Sequence, residues 1–471
     1  MVPGECPGRA QSGHRSGNWV VGQTTPECLL RDGCAGAGPA EVGTVFSDIE
    51  EGGAWSSGAG WDDRCAWLSG VSKQSINGIQ SLKLKIISCW FTTSYGAYTD
   101  GLRRALERQL GTEVGVIASN CGCGDPEEVH RRFQDQRCEY FEFPHVGYFK
   151  SANPLKYWLR TQARQLIYMQ RAKRYLSFGA DADVVHFQQT LNAYGAIAVF
   201  NWLRPPSAAA RVITVHELDP HQTDFPQSNL AYNRADRIIV HAADMKKQLI
   251  GLGVDGERID VVEHGVDVGP LPDGPRRTII FYGGHRIHYG KGVDALFRAM
   301  AMVRARMGEK TPKLVIHGHY GERTPAYGLQ LAAQNGIEDL VQWRNQIGAE
   351  AITEEYGRAL FCVLPYTGSF AGLAAVNALA NGVPVIATRR AGLPDHLGEA
   401  AMWVPENDPQ ALADAMLTLL SDEALRSNLV RQGRERAESH LSWDKVASKT
   451  ILSYQAALDH KRSARGRAVA G

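Results

Sequence analysis

The chain has 471 residues, with 51 Lys and Arg against 50 Asp and Glu. That length suits two domains with some excess, and the charge balance excludes bulk nucleic-acid binding, which needs a basic surplus. No apolar run reaches the roughly 18 residues that cross a bilayer, and no Lys/Arg-led apolar stretch opens the chain as a secretory signal would.

Met1 to Val71 is rich in Gly, Ser, Cys and Trp and has neither helical nor strand period. Residues 1–78 are therefore expected to be a disordered extension, with a natural start near Val71. The nine cysteines are scattered. Cys121 and Cys123 form a lone CxC with no second pair at zinc spacing, so reduced cytosolic thiols are expected.

Order is expected from Leu82. "LKLKIISCWF" reads as a strand, "TTSYGAYTDG" as a loop, and "LRRALERQL" as a helix with Leu102, Leu106 and Leu110 on one face. The strand "EVGVIAS" completes a βαβ unit, hence a parallel sheet. Strands follow at "DVVHF" (183–187), "RVITVHE" (211–217), "RIIVH" (237–241) and "RIDVVEHG" (258–265). Between them, Leu155 to Leu176 carries Lys156, Arg160, Arg164, Arg171 and Arg174 among aromatic and aliphatic residues. A basic amphipathic helix of that kind can lie on anionic lipid, though a solvated face over ordinary core is the simpler reading.

"VGPLPDGPRR" (268–277), with three prolines and two glycines, reads as a linker. Alternation then restarts: "TIIFYGG", "KLVIHG", "LVQWRN", "LFCVLPY" and "PVIAT" as strands, separated by helical patterns, with helices closing the chain to about Asp459. The expected fold is α/β, with two doubly wound, Rossmann-like domains at 79–270 and 271–436 facing across a cleft. Residues 437–471 are expected as a helix returning towards the first domain, with a basic tail. Ligands bind such sheets at the carboxyl ends of the strands.

Two loops at those ends carry the chemistry. In "FYGGHRIHYGKG" (281–292), glycines such as Gly284 let the backbone approach a ligand, and Arg286 and Lys291 offer two cations to a diphosphate. In "VLPYTGSFAGLAAVNALANGVPVIATRRAGLPD" (363–395), small residues precede a helix starting near Gly372. Its free N–H groups form an anion site, with hydroxyls from Thr367 and Ser369 beside it. His216, at the end of "VITVH", is placed to donate to a hydroxyl or act as a base. Glu217 and Asp219 beside it are further candidate bases, and Gly96 keeps the first loop clear of a ligand. Diphosphate charge would be met by cations and the helix end, so no metal and no cofactor are expected.

These motifs resemble the GT-B nucleotide-sugar glycosyltransferases of family 4 (group 1), over about Leu82 to Leu458. "VVEHGVD" is similar to that family's interdomain "PNGVD", "GGHRIHYGKG" to its "GRL…KG" diphosphate loop, "PVIATRRAGLPD" to "PVIAT…GG.PE", and "HLSWDKVASK" to its closing "FSW" segment. The resemblance implies sugar transfer from a nucleotide-diphosphate donor to a glycan or lipid-linked acceptor, a hexosyltransferase in bacterial polysaccharide or glycoconjugate synthesis. It implies a histidine at His216 near the donor sugar. From its thiols and its lack of a signal the protein is expected in the cytoplasm, with the inner face of the membrane, through 155–176, as an alternative. One departure stands out. Anchored on Gly372 and Leu373, the family's Glu-x7-Glu falls on Ser369 and Asn377. In the family the first Glu contacts the donor sugar and the second binds the ribose. An amide at Asn377 still donates and accepts, and Ser369 still touches a hydroxyl without charge. The loss leaves the stereochemistry open. It keeps two alternatives alive, a non-catalytic nucleotide-sugar-binding subunit and another GT-B enzyme such as a nucleotide-sugar epimerase.

Overall fold

The computed structural model describes residues 82–470 except 89–93, 121–137, 143–154, most of 157–176, 189–208, 217, 219–231, 284–289, 319–322, 345–348 and 369–371. The expectation for residues 1–78 lies outside the described residues, as does most of the 155–176 segment.

Two parallel sheets organise the chain. The first runs β3-β2-β1-β4-β5-β6-β7, built from β1 (Leu84–Ser88), β2 (Val114–Asn120), β3 (Cys138–Glu142), β4 (Val184–Gln188), β5 (Ala210–Val215), β6 (Arg237–Val240) and β7 (Ile259–Val261). The second runs β10-β9-β8-β11-β12-β13, from β8 (Thr278–Tyr282), β9 (Lys313–His317), β10 (Val341–Arg344), β11 (Ala359–Leu364), β12 (Val385–Thr388) and β13 (Met402–Val404). All pairs are parallel. Helices cover such sheets on both faces, so central strands become continuous apolar runs. β11, "ALFCVL", and β12, "VIAT", are buried almost throughout. This is the doubly wound pair of domains that the strand pattern implied.

The helices are α1 (Ser94–Leu110), α2 (Ala243–Gly251), α3 (Val293–Met307), α4 (Arg323–Gln334), α5 (Ala349–Gly357), α6 (Leu373–Ala380), α7 (Leu393–Leu397), α8 (Pro409–Ser421), α9 (Glu423–Arg436) and α10 (Trp443–Ala470). α3 buries Val293, Leu296, Phe297, Met300 and Val303 at helical spacing. α8 begins with Asp408 accepting from Ala411 N at 2.9 Å and Pro409 in its first turn, a strong start signal.

α1 begins earlier than the sequence suggested. The "TTSYGAYTDG" loop was expected to run up to Gly101, but helix starts at Ser94 and includes both Gly96 and Gly101. Gly101 is there for packing: a Cβ on it would overlap the indole of Trp443. The same indole leaves no room for a Cβ at Gly265. Trp443 thus lies between a helix of the first domain and the segment leading into the second. The two chain crossings run together, with Val266 N donating to Leu441 O at 2.9 Å. From there α10 packs on α1, where Arg108 pairs with Asp444 at 2.7 Å, and Trp443, Val446, Ile451 and Tyr454 join the first domain's core. α10 also continues past the expected end near Asp459, to Ala470. Among the described residues, no helix is long and apolar enough to cross a membrane.

Candidate functional site

The two loops singled out in the second domain meet at the carboxyl ends of β8 and β11. Gly290 O accepts from Thr367 N and Gly368 N, both at 2.9 Å, so the backbones are tied together. Gly292 starts α3 at φ +70, and a Cβ there would strike Pro365 O. Lys291, just before it, is buried, with its ammonium 4.1 Å from the centre of the Tyr366 ring. That is a cation–π distance. Tyr366 is fixed in turn, donating to Tyr282 O at 3.1 Å, while its own carbonyl accepts from Thr388 Oγ1 at 2.6 Å. Thr367 O accepts from Arg390 Nε at 3.2 Å.

The second loop ends at Gly372, the N-cap of α6, at φ +84. A Cβ there would sit 2.8 Å from His396 Nδ1, in a conformation L residues avoid. Intrahelical bonding begins with Ala375 N to Gly372 O at 2.9 Å. The first N–H groups of α6 therefore have no intrahelical acceptor, which makes its start attractive to an anion. Leu373 and Asn377 are half-buried on the first two turns of α6. Gly284, Arg286 and Ser369 lie outside the described residues, as do Glu217 and Asp219 of the first domain. Gly96 is buried in the first turn of α1 instead of in a loop.

His216 follows β5 directly and is 2% exposed. Its ring nitrogens are held by the protein: Nε2 lies 2.8 Å from Gln188 Oε1, and Nδ1 lies 2.9 Å from His241 Nε2. Around it stand His186, His241 and His264, with Tyr98 edge-on to His216, His241 and His264. Sequence reasoning missed these histidines. The available signal was a histidine at or near the end of four successive strands, in "DVVHF", "VITVH", "RIIVH" and "VVEH". Burial pushes His186 and His241 down to about 3, and holds His216 and His264 well below the ordinary range, with neighbouring histidines adding to each effect. All four rings are therefore neutral at pH 7.

Nitrogens of His216, His241 and His264 lie within 4.8 Å of one another, close enough to raise a metal site. Ring lone pairs lie in the ring plane, however. His241 and His264 stack at 3.8 Å with planes 25° apart, so their lone pairs do not converge. The closest approach between His216 and His241 is a hydrogen bond. The donor set as arranged fits a hydrogen-bonded chain better than an ion.

The domains touch through α7. His396 donates from Nδ1 to Gly392 O at 2.6 Å, and its Nε2 accepts from His264 N at 3.0 Å. Asp395 accepts from Ala243 N at 3.1 Å, supplying from the second domain the cap that Ala242 cannot give to α2. Arg436 donates to the carbonyls of Asp395 and His396, both at 2.6 Å. A cleft of about 310 Å³ beside this contact is lined by Asp244 and Gln248 of α2 and by Arg389, Arg390 and Ala391 after β12.

Two facing Rossmann-like sheets with ligand loops at their carboxyl ends define the GT-B class of fold. The description "Glycosyltransferase Family 4" matches residues 96–269, and "Glycosyl transferases group 1" matches residues 276–422. The chain belongs to the group 1, family 4 type of GT-B glycosyltransferases. It is similar to D-inositol 3-phosphate glycosyltransferases of Geodermatophilus obscurus, 30% identical over 50% of this chain and 56% of that one, and of Nocardia farcinica, 33% identical over the same shares. The chain thus spans little more than half the length of these relatives. Among solved structures, it resembles the sucrose-phosphate synthase of Thermosynechococcus elongatus, with TM-score 0.62 and 20% identity, covering 79% of this chain and 98% of that one. It also resembles Anabaena HepE in complex with UDP and glucose, with TM-score 0.61 and 14% identity, covering 79% and 99%.

Proposed function

We infer that the protein transfers a hexosyl group from a nucleotide-diphosphate sugar to a glycan or lipid-linked acceptor. One observation carries the reading: Lys291 stands beside the Gly290–Thr367 backbone tie that joins the two loops, and the second loop leads into α6, whose first N–H groups have no intrahelical acceptor. A diphosphate is the anion that fits a cation set against a helix start. Arg286 and Ser369 belong to the same two loops and join the set in this reading. Asn377 binds the ribose through its amide, and Leu373 and Gly372 shape the helix start. The acceptor enters from the first domain, past Glu217 and Asp219, and His216 lies nearest the sugar. No metal enters the scheme, because the cations and the helix end balance the diphosphate. The protein works in the cytoplasm, and a basic 155–176 helix would bring it to the inner face of the membrane.

The relatives' names point to sugar transfer, and one structural neighbour was solved with UDP-glucose, so UDP-sugars are the first donors to try. The test is a panel of UDP-, GDP-, ADP- and TDP-sugars, scored for binding and for hydrolysis. Binding of none would end the donor assignment. A second reading rests on Ser369 and Asn377 standing where the family has carboxylates: a non-catalytic nucleotide-sugar-binding subunit. Tight binding with no turnover under any acceptor would favour it. Sugar conversion without an acceptor would favour an epimerase.

A further inference from the structure

The buried histidines of the first domain form a chain of hydrogen bonds with a direction, and that direction decides which nitrogen of His216 carries its proton. His241 Nδ1 lies 2.8 Å from Val262 O, an atom that can only accept. His241 therefore donates from Nδ1, and as a neutral ring it presents a lone pair at Nε2. That lone pair faces His216 Nδ1 at 2.9 Å, so His216 donates from Nδ1 and keeps its own lone pair at Nε2. Nε2 lies 2.8 Å from Gln188 Oε1, which sets acceptor against acceptor. Amide oxygen and nitrogen have the same shape, and the network decides between them. Turned over, the amide donates to His216 Nε2. Its oxygen then faces His186 Nε2 across the 3.4 Å contact. His186 donates from Nε2 to Thr214 Oγ1 at 2.7 Å, and at Nδ1 it accepts from the Tyr454 hydroxyl at 2.7 Å. Every link then has one donor and one acceptor, with no ring charged. The reverse order sets His241 Nδ1 and Val262 O lone pair to lone pair, or needs an imidazolium. A charge there would sit among His186, Thr214 and His241, all fully buried, and Gln188 at 1% exposure.

We propose that Gln188 and His241 are positioning residues that hold His216 as its Nδ1–H tautomer, with the lone pair of Nε2 directed at the Gln188 amide. The catalytic consequence rests on the sugar-transfer reading above. His216 then offers a lone pair at Nε2, able to take a hydroxyl proton when the amide turns aside, and it does not donate from that atom. α10 anchors the far end of the chain through Tyr454, so the helix that returns to the first domain also helps set the tautomer.

The test is direct. The full chain is labelled with ¹⁵N-histidine and read by long-range ¹H–¹⁵N correlation at pH 7.5. His216 and His241 are assigned by loss of their signals in His216→Gln and His241→Gln. Both rings should be neutral with the proton on Nδ1. A His216 ring protonated at Nε2, or at both nitrogens, overturns the proposal, and this needs only the unaltered protein. Gln188→Glu is the second arm. A carboxylate cannot donate, so it should draw a proton to His216 Nε2 and move that ring's titration up by at least one pH unit. Gln188→Met keeps the bulk and should leave the titration low. Equal loss of Tm in both variants, with the His216 titration unmoved, would reduce Gln188 to packing and overturn its role. With turnover in hand, the kcat–pH profile of Gln188→Glu should shift with the ring. A fixed profile over a shifted ring removes His216 from the reaction while the tautomer assignment stands.

Discussion

Four neutral histidines lie buried in the first domain and a fifth, His396, reaches them from the second, and acid should unfold the protein through them. The ordinary histidine value is about 6.5. His186 and His241 are held near 3 by burial, with His241 adding repulsion at His186 and His396 at His241. Between those values the unfolded chain binds protons that the folded chain refuses. Stability is therefore complete above about pH 6.5 and is lost as pH falls. At pH 5 the loss is about 2 kcal/mol per ring, hence about 4 kcal/mol for these two treated as independent. His216 and His264, held well below the usual range by burial and by neighbouring histidines, act in the same direction, as does His396, lowered mainly by burial. A domain's whole stability is of order 5–15 kcal/mol, so unfolding should set in above the pH where most carboxylates titrate. The assay is urea unfolding followed by circular dichroism at pH 7.5, 6.5, 5.5 and 5.0. Near pH 5 the free energy should fall with a slope of about 2.7 kcal/mol per pH unit or more, two protons' worth. His241→Gln should reduce that slope by about one proton. A urea midpoint equal at pH 5.0 and 7.5 would show that these rings are solvated and that the buried chain is wrong.

Lys291→Ala should weaken nucleoside-diphosphate binding about 10- to 150-fold, the value of one charge-assisted hydrogen bond; titration calorimetry with UDP and GDP checks it, and unchanged affinity would remove Lys291 from the diphosphate site. Asn377→Ala should cost about 0.5–1.5 kcal/mol of nucleotide affinity, while Asn377→Glu should keep or tighten it; equal loss in both would mean that the ribose is bound elsewhere. Ala391 stands at φ +55, a left-handed conformation costing roughly 1–2 kcal/mol for an L residue. Ala391→Gly should therefore stabilise the fold by a net of about 0.5–1 kcal/mol after the added freedom of the unfolded chain, read as a higher Tm, and a fall in Tm would contradict the strain.

How far these features could be read from sequence follows from their range along the chain. Buried parallel strands announce themselves as apolar runs, so β8, β9, β11 and β12 and the helices between them were legible, and with them the doubly wound fold. β13 has three residues and α7 five, too short for any period to show. The start of α1 was hidden because Gly96 and Gly101 read locally as breakers. What Gly101 permits is an indole arriving from Trp443, far along the chain. The second domain's loops were legible as glycine-rich strand ends; that Gly292 and Gly372 each sit at positive φ against Pro365 and His396 required the fold. The histidines show the same boundary most clearly. Each of "VVHF", "VITVH", "RIIVH" and "VVEH" reads alone as a strand ending in one satisfied core histidine. Their meaning depends on β4, β5, β6 and β7 being consecutive in the sheet. Neighbouring parallel strands lie about 4.8 Å apart, so equivalent ends come within a hydrogen bond of one another once side chains reach across. Strand order is a tertiary fact, and without it His186, His216 and His241 do not become one chain, nor does His264 stack on its end.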